Sequence, residues 1–272
     1  MQPFSKSNLL CGCFAVFATA LLPNKTMAAE PWEVEALLLY NSGSPEVNDL
    51  RARSTGNTRL GGYARALGIL FQESREEANA LRAKKVFDQL FEINGNDDVG
   101  MASAYYLARI SHKHLDEPDL ESARLGYRFL FETYPGRFFG ELAFLKFILV
   151  ELYEREAEES IGDRLEFLEE RGRRLTIPEM QRGFHRSMGE AYRVFELSEA
   201  KAYKHLRAAY EIETLVPETQ IELMLSVAEL AEAMGDADVA ISALEDFLRT
   251  AKWDDRREMV AVRLADLKIR NQ

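Results

Sequence analysis

A small residue returns along this 272-residue chain at nearly constant intervals: Ala83, Ala123, Gly162, Ala202 and Ala240, separated by 40, 39, 40 and 38 positions. Each sits early in a stretch whose apolar residues follow helical spacing, so the period marks a series of helical hairpins. One hairpin cannot bury its apolar face by itself. Neighbours must stack, and the stack presents an elongated surface suited to a peptide or protein. The pattern predicts an all-α fold, a right-handed α-solenoid of about five antiparallel helix pairs closed by a C-terminal capping helix. The predicted pairs are 60–72 with 76–93, 101–111 with 118–133, 138–156 with 162–175, 178–195 with 199–214, and 218–234 with 236–250. The capping helix covers 256–269, with Arg256, Arg257, Glu258, Arg263, Asp266, Lys268 and Arg270 as its polar outer face.

Boundary chemistry agrees with this division. Ser74 with Glu77, and Thr176 with Glu179, have capping-box spacing, in which side chains satisfy the backbone N–H groups a helix start leaves unpaired. Pro178 suits a first helical turn. Asn94-Gly95, Pro135-Gly136 and Gly235 supply stops. In 221–234 the residues Ile221, Leu225, Ala228, Ala231 and Met234 recur in steps of three and four, predicting one buried helix face.

The first 28 residues predict an export signal. Lys6 gives a positive start, 9–22 is an apolar run of 14 residues, and Thr26-Met27-Ala28 offers small residues before Ala29. That run is short for a membrane span. The competing readings are a buried N-terminal helix and lipidation at Cys11, but the apolar run continues past Cys11. Residues 29–59 are expected to form a short helix and a connection, and 60–272 the repeat domain. Both cysteines, Cys11 and Cys13, fall within the signal, so a mature chain has no thiol for a disulfide or a metal.

The formal net charge of −11 becomes −13 once Lys6 and Lys25 leave with the signal. A negative field repels polyanions, which excludes nucleic acid as a partner and disfavours anionic membrane surfaces. The expected chain is therefore exported, periplasmic or extracellular, with no integral membrane span after signal cleavage.

On these residues the chain resembles the tetratricopeptide repeat (TPR) family. Leu67-Gly68 followed by Phe71 fits the family's first-helix motif, Ala83 with Phe87 fits A-x3-F, and Ala123 with Tyr127 and Pro135 keeps both the aromatic step and the closing proline. Ala202 with Leu206 and Ala240 with Leu244 are aliphatic versions. The physical basis is packing: a small residue admits the neighbouring helix, and a large one a turn later fills the remaining space. The third unit departs, with Glu166 where a large apolar residue belongs and Phe167 one position late. The period near 40 also exceeds the family's length and approaches that of HEAT and armadillo hairpins, which remain the alternative. The resemblance spans 60–250 and implies a bacterial exported scaffold for envelope assembly or a surface complex.

It also implies that first-helix residues line an inner groove. Arg182, His185 and Arg186 share one helix face, with Arg193 two turns on, a stripe able to clamp a peptide carboxylate; a solvated face paired with nearby acids is the alternative. Aromatics cluster at Tyr127, Phe129, Phe131, Tyr134, Phe138, Phe139, Phe144 and Phe147. Helical spacing assigns most of them to the core and leaves Phe129 and Phe138 as surface anchors. His112, His114, Asp116 and Glu117 are the one group with metal-ligand residue types, but nothing supplies further converging ligands, so a solvated turn is expected and no metal or cofactor. No catalytic motif is present. The reading is a non-catalytic scaffold binding a protein or peptide. The alternatives are a carbohydrate-active enzyme on an α/α toroid, with two acids across a cleft, and a purely structural envelope component.

Overall fold

A computed structural model describes residues 59–72, 76–154, 158–213 and 220–271. The expected signal, the N-terminal extension and the Ser74 cap lie outside these residues. The chain divides into two compact units, 1–158 and 159–272. Among the described residues the regular structure is helical throughout, and no helix is long and apolar enough to cross a membrane.

Unit 1 contains α1 (Arg59–Leu70), α2 (Glu77–Ile93), α3 (Asp98–Lys113), α4 (Leu120–Thr133) and α5 (Phe138–Leu149), which runs into a π-helical turn, Val150–Glu154. Successive helices pack on each other, and α3 also touches α1 and α5. The first helices of the hairpins therefore adjoin as a layer, with α2 and α4 behind them. Unit 2 contains α6 (Ile161–Gly172), α7 (Pro178–Val194), α8 (Glu199–Glu211), α9 (Ile221–Ala233), α10 (Ala237–Thr250) and α11 (Arg257–Arg270), again with successive helices in contact. Four predicted pairs lie whole within one unit, whereas the third, α5 with α6, has its members on either side of the division.

The small-x3-large step is the packing device at four of the five positions. Ala83 with Phe87, Ala123 with Tyr127, Ala202 with Leu206 and Ala240 with Leu244 are all completely buried. Close approach recurs beside them: a methyl group on Gly126 would meet the Ala108 side chain at 2.8 Å, and one on Gly189 would meet Leu206 at 2.5 Å. Gly162 is the exception. It is exposed, and a methyl there would meet nothing nearer than the Ser160 hydroxyl at 3.6 Å. In α6 the core contacts come from Leu165, Leu168 and Gly172 instead, Gly172 lying against the Phe184 ring. The period is real, but in this helix it falls on the wrong face.

Helix starts are set mainly by Asp and Ser. Asp97, Asp119, Ser160, Ser198 and Asp236 each accept a bond from the backbone N–H three residues on, a device contributing about 1 kcal/mol each. α7 starts one residue later than the Thr176 capping-box spacing requires, with Ile177 at the cap and Pro178 in the first turn. The face assigned to α9 also shifts. Met234 is exposed, and the buried set is Leu223, Met224, Val227, Ala228, Leu230 and Ala231. The helix is apolar on most sides, since it packs on both α8 and α10, so periodicity alone left its orientation open. In unit 1, α5 is buried on nearly every side from Phe139 to Ile148, as its composition predicts.

Candidate binding surface

The positions chosen from the sequence on α7 separate when folded. Arg182 is almost fully buried, and that burial pulls its pKa down, with the Glu179 charge opposing. His185 turns toward α8, its Nδ1 3.1 Å from Nδ1 of His205. His185 therefore lies inside the α7–α8 hairpin, and Arg182 is buried rather than on an open face. Arg186 is half-exposed, and Arg193 reaches α9, donating to the Ser226 hydroxyl at 2.9 Å and to Glu229 at 3.3 Å.

Around His185 and His205 lies a polar network with contributions from three helices. Glu169 of α6 accepts a hydrogen bond from the Tyr192 hydroxyl of α7, and Lys201 of α8 lies 3.3 Å from the same carboxylate oxygen while also donating to Tyr192 Oη at 2.9 Å. His205 Nε2 sits 3.6 Å from that oxygen. Burial and the neighbouring His185 push His205 down to about 4, although Glu169 opposes this, so the ring is neutral at pH 7. Burial would raise Glu169, but the Tyr192 hydrogen bond and Lys201 more than offset it and keep the carboxylate ionised. Tyr192 is raised by burial and by donating to Glu169, so it keeps its proton. Ionised acid, protonated amine and neutral imidazoles satisfy one another. The network braces α6 against α7 and α8.

Unit 1 holds a comparable buried group. His112, inside α3, receives the Tyr127 hydroxyl at Nδ1 (3.2 Å), and its Nε2 donates to Glu154 at 2.8 Å. The π-helical turn after α5 delivers Glu154 to this place, where Lys113 also donates to it at 2.8 Å. Burial lowers His112; Glu154 is held down at about 2, its burial outweighed by bonds from His112 and Lys113. His114 instead packs edge-on against Phe71, 5.7 Å between rings, and Asp116 and Glu117 are exposed. The four residues with metal-ligand chemistry thus point to separate places, and no metal-holding trio of His, Cys, Asp or Glu occurs among the described residues.

The aromatic run divides as helical spacing predicts. Tyr127, Phe131, Phe139, Phe144 and Phe147 are core, while Phe129 is 43% exposed and Phe138 half-buried. Phe129 rests edge-on against Phe91 and Tyr134, with Leu125 exposed one turn earlier on α4. Tyr192, Lys201 and His205 were not singled out from the sequence. Their signal was symmetry: His185 with His205, and Tyr192 with Lys201, lie almost equidistant from the turn at 195–197, so an antiparallel hairpin brings each pair face to face.

No family model and no curated protein matches the chain. Among solved structures, a thermophilic TPR protein of Thermus thermophilus aligns with 78% of this chain and all of its own, at 18% identity and a TM-score of 0.44.

Proposed function

We propose that this protein is an exported, non-catalytic helical-repeat scaffold that binds a protein or peptide partner in envelope assembly or a surface complex. The observation that carries the reading is the layer of adjoining first helices α1, α3 and α5, which gives unit 1 a continuous surface contributed by successive hairpins. The histidine groups support it: His112 and His205 are held neutral by burial in polar networks that brace helices. Arg186, Arg193, Phe129 and Phe138 are the surface contacts in this reading, while His185 ties together the hairpin that presents Arg186 and Arg182 is buried. The acidic balance favours a partner with basic or neutral surface.

Affinity capture of the chain from its own cells, with mass spectrometry, tests this. A recurrent envelope protein that is lost with Arg186→Glu or Phe129→Ala is the expected result, and a partner list unchanged by both substitutions contradicts it. Export is read in the same sample, where the mature chain is expected to begin at Ala29.

A further inference from the structure

We propose that the contact between His185 and His205 is an acid latch between α7 and α8, closed while the two rings share one Nδ1 proton and opened when each ring carries its own. The two Nδ1 atoms are 3.1 Å apart. At that separation a hydrogen bond needs a proton on one nitrogen and a lone pair on the other. The surroundings assign which is which. His205 turns Nε2 toward the Glu169 carboxylate, 3.6 Å away, so its N–H faces the acid and its Nδ1 keeps the lone pair. His185 Nδ1 is then the donor.

Proton counting gives the latch its threshold. One added proton does not break it: on His185 Nε2, away from the contact, it leaves the Nδ1–H···Nδ1 bond in place and makes it charge-assisted. A second proton has only His205 Nδ1 left to occupy. There it sets N–H against N–H and one cation against another, a contact that cannot hold. Burial and the His185 charge keep that proton off His205 until about pH 4.

The neighbours decide which ring leaves. His205 is buried, stacked on the Tyr192 ring at 5.9 Å and edge-on to Phe184 at 5.8 Å, and its positive form gains Glu169 of α6 as counter-ion. His185 is half-buried, and Lys204 of α8 opposes its charge. Lys201 of α8 also faces the group, already engaged with Glu169 and the Tyr192 hydroxyl. His185 is thus the ring that swings out. α7 loses this tie to α8, while α6 keeps its hold on α8 through Glu169. Arg186 follows His185 directly, so an open latch changes how α7 presents that cation; this consequence rests on Arg186 being a partner contact, whereas the latch itself does not.

NMR of the chain with isotope-labelled histidine rings, followed together with amide exchange from about pH 7 to 3, tests this. Two separate protonation steps are expected at the pair. Through the first, the nuclear Overhauser contact between the rings persists. With the second it is lost, and the protection factors of the 183–187 amides, corrected for intrinsic exchange, fall at least about tenfold while those of α10 do not. His205→Gln supplies a neutral acceptor to His185 and should keep 183–187 protected over the whole range. Glu169→Gln removes the counter-ion that favours the His205 cation and should move the opening step to lower pH by at least about half a unit; both rings remain in this variant, so it decides the matter even if His205→Gln loosens the hairpin. Rings still in contact at the acid end, a chain that unfolds as a whole before they part, or an opening step at the unchanged pH in either variant each overturns the proposal.

Discussion

In unit 1 neighbouring helices meet through a run of aromatic rings, and in unit 2 through an aliphatic core supplemented by ion pairs and hydroxyl hydrogen bonds. Tyr63, Phe87, Tyr106, Tyr105, Tyr127 and Phe139 form a continuous series from α1 to α5 with centroids 5.4 to 6.1 Å apart, Phe87 stacking nearly parallel on Tyr106. In unit 2 the large-position residues of the last two hairpins are leucines, and side chains tie helices of different hairpins: Tyr203 and Arg207 to Asp236, Tyr210 to Asp246, and Arg256 to Glu222. One packing rule, small residue then large, is thus completed in two ways. Ring burial is insensitive to pH and salt, whereas polar bridges depend on protonation and screening.

The largest effect that would break this comparison is Phe87→Ala. It leaves a cavity beneath Tyr63 and Tyr106 and is expected to cost about 3 to 5 kcal/mol in urea unfolding, without pH dependence. A loss under 1 kcal/mol would show that the ring series is incidental.

Acid should instead strike unit 2 hardest. Burial and His185 hold His205 near 4, below the ordinary 6.5, so the neutral form is favoured by folding. The groups facing it are Glu169 from α6, His185 and Tyr192 from α7, and Lys201 and Lys204 from α8. That stability is complete above pH 6.5 and falls away as the pH drops toward 4, by about 2 to 3 kcal/mol. His112 in unit 1 is shifted in the same direction. Unfolding measured between pH 7 and 4 should flatten more with His205→Gln than with His112→Gln, and equal flattening would remove the distinction.

How much was legible follows from particular residues. Ala83, Ala123, Ala202 and Ala240 could be read because each pairs a small residue with a large one a turn later, and both had to be buried. Gly162 could not, because glycine in an exposed first turn looks the same in sequence as glycine at a close approach. The Arg182 stripe was legible as a helix face but not as an orientation, since α7 carries polar groups on the side that meets α8. Glu154 reaches His112 only because the chain widens into a π-helical turn after α5, which helical periodicity does not announce.

The smallest effect concerns turns. Gly235 takes a φ of +74° after α9, and Glu196, 39 positions earlier, takes +52° after α7. A side chain in that region is disfavoured. Glu196→Gly should therefore stabilise the chain by up to about 1 kcal/mol by thermal unfolding. A destabilised variant would mean that this turn is held differently from its counterpart.

Small residues act as interlocks wherever the repeat is structurally in register, and paired substitutions at two equivalent sequence positions test that most directly. Ala123→Leu, at a completely buried site, should cost about 1 to 3 kcal/mol in chemical unfolding through overpacking. Gly162→Leu, at an exposed site, should cost no more than about 0.5 kcal/mol. Similar losses at both positions, or a tolerated Ala123→Leu, would contradict it.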